Sequence, residues 1–454
     1  MLLAASYYFY MVWRVEYILL IVISTLIDYF AAILMERQDE KKKKRIFLIL
    51  SLCTNLGLLF VFKYFNFFNT QLGRIYMIFG FGNYFLSDLK FLLPVGISFY
   101  TFQTLSYTID VYRGERKAER HLGYFALYVS YFPQLVAGPI ERSTRLLPQL
   151  KKKSSPNYKN IMEALVRICW GMLKKVVIAD RAAVLVNTVF ANFGDYHGLY
   201  LVLAAVAFAI QIYCDFSAYS DIAIGSAKLM GVELMENFNL PYFAKSISDF
   251  WSRWHISLST WFRDYLYIPL GGNRVKKIRN YFNLMIVFIV SGLWHGANWT
   301  FILWGMLHGA YLIIEKIIKN ISGRMGKLRA NIKIPLFFKQ VFVFLLVLIG
   351  WVFFRIESIH YIIPFFTNVF SLSASSLTDS SLISLGLDIY DLYVLGIMVI
   401  ALYAAEALRY YSKKPMKITS TFAMGMLSIL LILVAYIFGY YGQYDATQFI
   451  YFQF

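Results

Sequence analysis

The sequence predicts an all-helical integral membrane protein, with roughly ten or more transmembrane helices plus re-entrant and amphipathic interfacial helices. Three observations carry that prediction. Of 454 residues, 59% are hydrophobic and only 15% are charged, whereas a soluble domain carries about 25% charge. Apolar runs free of charge recur along the chain. The aromatic residues, 19% of the total, gather near the ends of those runs, as interfacial anchors do.

The runs in chain order are Ile46–Phe62, Phe91–Ile109, Leu199–Cys214, Tyr281–Leu293, Gln340–Phe354, Leu392–Ala405 and Ile418–Tyr444. Several approach the ~20 residues that cross a bilayer as helix, and shorter ones can cross with local thinning. Alternating ten-residue strands, the mark of a barrel, are not evident. The net charge of +18 sits in short clusters between the runs: KKKKR (41–45), RGERKAER (113–120), KKK (151–153), RVKKIR (274–279), Lys316–Lys333 and KKPMK (413–417). That placement follows the positive-inside rule and assigns these loops to the cytoplasm; it also argues against a nucleic-acid partner. Ser371–Asp388 has no Lys or Arg and is expected outside. The N-terminal stretch does not resemble a cleavable signal peptide. Cys53, Cys169 and Cys214 have no metal-ligand spacing and are expected as buried thiols without a disulfide. No metal site is indicated.

The chain reads as a single polytopic domain, 1–454. The polar segment Leu146–Arg181 is the nearest approach to a boundary and reads as an amphipathic helix on the cytoplasmic face. In Ser248–Leu270, residues Trp251, Trp254, Leu258, Trp261 and Tyr265 form one apolar helix face. Arg253, Thr260 and Asp264 fall outside it, so the segment should lie in the interface or re-enter the protein. Pro269–Asn273 then signals a turn.

From Tyr281 to Ile314 there is no Asp, Glu, Lys or Arg, but there are two histidines, His295 and His308. An imidazole at membrane depth is costly, and it is the side chain best suited to moving a proton near neutral pH. Fourteen residues of helix from Tyr281 place His295 about 21 Å above the basic cluster. Gly296, Ala297 and Asn298 then allow a turn back toward Lys316. His295 could serve as a base that deprotonates a hydroxyl. Asn298 or the Trp294 indole could stabilise the oxyanion. The plainer alternative for each histidine is a hydrogen bond between helices. Asp215 and Asp221 read as partners of a base such as Arg253 or Arg263, and Arg263 with Asp264 as the rim of a cytoplasmic mouth.

NFNLPYFAKSISDFWSRWHISLSTWFRDYLYIPLGGNR (237–274) and SGLWHGANWTFILWGMLHG (291–309) resemble the membrane-bound O-acyltransferase superfamily, and within it the bacterial alginate O-acetylation branch. LLPVGISFYTFQTLSYTIDVYRG (92–114), FPQLVAGPIERSTRLLPQL (132–150), YCDFSAYSDIAIGSAKLMG (213–231) and FIYFQF (449–454) fit as well. The resemblance implies a tunnel to a buried catalytic histidine, His295, with His255 of the RWH motif as the second shared histidine. It implies an acetyl-CoA-type thioester donor, no bound cofactor, an exported or cell-envelope polysaccharide as destination, and an exported acetyltransferase as partner, all at a bacterial inner membrane. Family members usually open with a further hydrophobic segment before the stretch that is here Ala5–Tyr10; the chain is expected to lack it or to carry a misassigned start. One alternative is D-alanyl transfer to teichoic acid from a carrier protein. An alternative of another class is a proton-coupled transporter, which should show two symmetric halves; none is evident.

Overall fold

A computed structural model describes residues 1–81, 84, 86–153, 157–324, 334–371, 385–412 and 420–441. Every regular element among the described residues is helical. The cluster at 413–417, most of Ser371–Asp388 and the C-terminal FIYFQF lie outside the described residues. The chain forms two compact units: Met1–Pro156 with Ser226–Met235, and Asn157–Gly225 with Glu236–Phe454.

The first unit contains α1 (Leu2–Met11), α2 (Ile18–Glu36), α3 (Lys41–Leu59), α4 (Phe65–Ile78), α5 (Ile97–Arg113), α6 (Leu122–Ser130), α7 (Phe132–Leu135) and α8 (Ser143–Lys151). α2, α3 and α5 pack together around a polar knot. Asp28 accepts hydrogen bonds from Ser51 Oγ (2.5 Å) and Asn55 Nδ2 (2.9 Å), while Ser24 donates to Asn55 Oδ1 (2.6 Å). Polar groups inside an apolar bundle are tolerated when they satisfy one another.

The second unit contains α9 (Tyr158–Leu173), α10 (Asp180–Ala191), α11 (Leu199–Leu229, whose last turn belongs to the first unit), α12 (Ile247–Trp251), α13 (Ile256–Phe262), α14 (Lys277–His295), α15 (Trp299–Arg324), α16 (Leu336–Arg355), α17 (Ile362–Phe370), α18 (Ile389–Tyr411) and α19 (Thr421–Phe438). Seven described helical stretches are long and apolar enough to cross a membrane: Val15–Glu36, Lys41–Ile78, Leu199–Leu229, Trp299–Ile321, Leu336–Arg355, Ile389–Tyr411 and Thr421–Phe438. The protein is a multi-pass membrane protein. α5, α9 and α14 are further long helices, of 17, 16 and 19 residues, that carry more polar groups.

Three sequence expectations are corrected. Leu146–Arg181 is several helices, because Asn157 starts α9 afresh by accepting the Asn160 N–H at 2.8 Å. Ser248–Leu270 is broken between α12 and α13, although Trp254, Leu258 and Trp261 still share the core. Cys53 is exposed on α3. In a membrane protein an apolar run also serves the lipid-facing surface, so apolarity alone does not place a side chain inside. The bare outer faces of α18 and α19, with Ile397, Ile400, Ile429 and Leu433 exposed, show the same thing.

Candidate active site

The charge-free stretch folds as an antiparallel hairpin. α14 rises from Lys277 and ends at His295; α15 returns from Trp299. Its closed approach depends on two glycines. A Cβ on Gly292 would stand 2.2 Å from the Phe301 carbonyl oxygen, and one on Gly305 2.1 Å from that of Phe288. Small residues at such crossings let helix backbones touch. At the far end Lys316 Nζ donates to Asn280 Oδ1 at 2.6 Å, so the basic termini of both helices lie together. His295 is therefore held at the opposite end from the charges, as its distance from the basic cluster anticipated.

The imidazole of His295 is 4% exposed and is boxed by rings. Trp294 stands 4.9 Å away centroid to centroid, Trp304 5.1 Å and Phe354 of α16 5.3 Å, all edge-on. Trp304 and Phe354 also meet each other edge-on at 5.3 Å. Such aromatic pairs contribute about 0.5–1.5 kcal/mol beyond burial and fix ring orientation. Asn298 caps α15: its Oδ1 accepts the Thr300 N–H (3.2 Å), and its Nδ2 donates to the Glu357 carbonyl (2.7 Å).

His255 enters from the break between α12 and α13. Its ring centroid lies 6.5 Å from that of His295 and 6.0 Å from that of Trp294. It is fully buried, with Phe216 edge-on at 4.7 Å. Its backbone is left-handed, with φ 43°. That region is disfavoured for residues with a Cβ, and strained backbone of this kind clusters at functional sites. Its Nδ1 lies 3.2 Å from Oδ1 of Asn237, a residue that sequence reasoning quoted within a motif but did not single out.

Arg253 turns elsewhere: its guanidinium binds Asp249 (2.8 Å) and the Asn239 carbonyl (3.2 Å) and covers the Tyr410 ring. Arg263 pairs with Asp264 at 2.8 Å, both partly exposed. Asp215 pairs with a basic group, as expected, but the group is Lys175 at 2.8 Å in place of Arg253 or Arg263, and Lys175 also holds Asp180. Asp221 is held by Arg167 (2.9 Å) and Lys174 (2.7 Å). α9 and the π-helical segment Lys174–Ala179 that continues it approach α11 closely, which the spacing of charges alone could not reveal. Tyr213 donates to Glu406, a further buried polar contact that the sequence did not signal. His308, one turn beyond Trp304, packs 5.1 Å from both Trp304 and Trp251, so Trp304 lies between it and His295.

One helical turn before His295, Ser291 lines a mainly apolar cavity of about 460 Å³. Its other walls include Trp251, Leu258, Phe288 and Leu312, with Arg263 on its rim. Two buried imidazoles among aromatic rings make an arrangement in which a hydroxyl could be activated away from water.

The sequence profile of the membrane-bound O-acyltransferase family matches residues 117–360. The chain is 41% identical over 409 residues to the "Probable alginate O-acetylase AlgI" of Azotobacter vinelandii, covering 89% of this chain and 79% of that protein. It is 36% identical over 384 residues to the "Peptidoglycan O-acetyltransferase" of Helicobacter pylori (79% and 71% covered). It is 32% identical over 236 residues to the "Teichoic acid D-alanyltransferase" of Streptococcus thermophilus (49% and 56% covered). Sequence profile and relatives agree: the chain belongs to the membrane-bound O-acyltransferase family.

Proposed function

We propose that this protein is an O-acetyltransferase of the bacterial cytoplasmic membrane that moves acetyl groups from a cytoplasmic thioester toward a cell-envelope or exported polysaccharide. Acetyl-CoA is the proposed donor. The observation that carries the reading is the approach of His255 to His295 within a cluster of aromatic rings at the end of a charge-free hairpin. His295 is proposed as the base that takes the proton of the acceptor hydroxyl, and His255 as its positioning partner. The apolar cavity lined by Ser291 suits the neutral arm of a thioester, and Arg263, ion-paired with Asp264, is among its lining residues. Trp294 is the nearer oxyanion donor candidate. Asn298 serves chiefly to fix the turn, since its amide group holds Glu357 and Thr300.

The relatives support the substrate class. The two whose names state O-acetylation, of alginate and of peptidoglycan, match over most of their length, and the D-alanyl relative over about half. The family match runs through residues of both compact units, which supports one functional domain. An exported acetyltransferase that finishes the transfer is the proposed partner. The test is transfer of labelled acetyl by purified protein in liposomes, from acetyl-CoA inside to a polysaccharide acceptor outside, with and without that partner. Acetyl-CoA turnover with labelled polymer outside supports the reading. Turnover of a D-alanyl carrier thioester in its place, or proton-coupled solute uptake without thioester cleavage, overturns it.

A further inference from the structure

We infer that Asn237 is a positioning residue that fixes His255 as the Nδ1–H tautomer and so makes Nε2 the hydrogen-bond acceptor of that ring. The inference rests on the reading that His255 belongs to the transfer site. The argument begins from a group whose role has no ambiguity. The backbone N–H of Ser257 can only donate, and it reaches a side-chain atom of Asn237 at 3.2 Å. That atom must be the amide oxygen, which settles the orientation of the amide. The Ser257 hydroxyl donates to the same oxygen at 2.9 Å, and Asn237 Nδ2 faces Ser220 Oγ at 3.4 Å. The third neighbour of the oxygen is His255 Nδ1 at 3.2 Å. Facing an acceptor, Nδ1 must carry the hydrogen. In a neutral imidazole the lone pair then belongs to Nε2.

The clamp is rigid. Asn237 is 1% exposed, and Ser257 and His255 are fully buried. The Asn237 backbone carbonyl accepts the Ile256 N–H at 3.0 Å, so one residue satisfies the first two amides of α13. His255 occupies the capping position of that helix but adopts a left-handed backbone and gives it no side-chain cap. Asn237, eighteen residues earlier, supplies the cap from outside. A cap alone would need no bond to the ring; the third contact is what points to chemistry.

Orienting partners of this kind typically alter activity about 10- to 100-fold when removed. The test uses full-length protein with ¹⁵N-labelled histidine, read by solid-state NMR, with the His255 signals identified by their absence from His255→Gln. In the wild type, Nδ1 of His255 should be the protonated nitrogen. In Asn237→Leu the two tautomers should mix, and kcat should fall about 10- to 100-fold at unchanged KM for the thioester. Asn237→Asp retains an acceptor oxygen and should restore the tautomer and most of kcat. An Nε2–H tautomer in the wild type overturns the inference. So does a tautomer that is unchanged in Asn237→Leu, even if that variant is less stable, because the residue would then be a cap only. If the tautomer behaves as expected but wild-type protein transfers no acetyl, the function proposed above fails and the tautomer assignment stands.

Discussion

The two histidines reach the same cluster of rings by opposite routes. His295 is carried by regular structure: a 19-residue helix ends on it, and a glycine crossing clamps that helix to the next. His255 is carried by irregular structure: a helix breaks around it, its φ is positive, and a residue eighteen positions away holds its ring. A helix places a side chain by counting residues, whereas a break places it by contacts that the local sequence does not specify. The comparison assigns His295 a position that few substitutions nearby can shift, and His255 one that depends on a small set of hydrogen bonds.

The largest effect is expected at His295 itself. His295→Ala should remove transfer below detection, since positioned general bases contribute about 10²- to 10⁴-fold and His295 is buried among rings. Acetyl transfer by folded, membrane-inserted protein is the measurement. Retained activity would break the comparison at its root, because the residue placed most firmly would then be idle.

The next effect tests the placement. Gly305→Val would put a branched side chain onto the Phe288 carbonyl, and the hairpin would have to open. A displacement of about 1 Å at the reacting groups can cost about 100-fold. Thermal stability in detergent should fall together with kcat. A stable, fully active Gly305→Val would show that the crossing does not set the height or tilt of His295.

The legibility of the molecule divides along the same line. Apolar runs gave the helices, and the distance from RVKKIR gave the end of the hairpin at which His295 sits. The WHG turn and the return toward Lys316 were visible because helical rise is fixed. The break at residues 252–255 was not visible. Trp251, Trp254 and Leu258 kept helical spacing because they still face one core, and spacing cannot distinguish an intact helix from two short ones that bury the same side. Asn237 was invisible for a different reason: its bonds to His255 and Ser257 span eighteen and twenty residues and depend on how α12 and α13 fold back. The base that pairs with Asp215 was misread because sequence offers the cations of a nearby motif, while the fold brings Lys175 from the π-helical segment Lys174–Ala179 that runs into α10.

A smaller loss is expected at His255. Glutamine retains an acceptor oxygen at the end of its side chain and can imitate Nε2 in part. His255→Gln should therefore keep measurable transfer, about 100-fold down or less if misplacement is the whole cost, while His295→Gln keeps none. Single-turnover transfer from a labelled acetyl donor compares the two. Equal and complete loss in two folded variants would mean that both imidazoles act on protons, and the division of labour drawn here would end.

The smallest effect is expected at Arg253, and it sharpens the comparison most. Sequence proximity makes Arg253 the obvious orienter of His255, two residues away. The structure sends its guanidinium to Asp249, to the Asn239 carbonyl and over the Tyr410 ring. The ion pair is one helical turn apart and partly exposed, with side chains 20% and 16% accessible. Pairs of that kind contribute about 1 kcal/mol or less. The Asn239 N–H to Arg253 carbonyl bond, at 2.9 Å, is made by backbone and survives any side-chain change. Arg253→Gln should thus lower stability slightly, leave kcat within a few-fold of wild type, and leave the His255 tautomer untouched. If Arg253→Gln instead reproduces the kcat loss of Asn237→Leu, the ring of His255 is held through the charged face of α12, and the remote asparagine is only its helix cap.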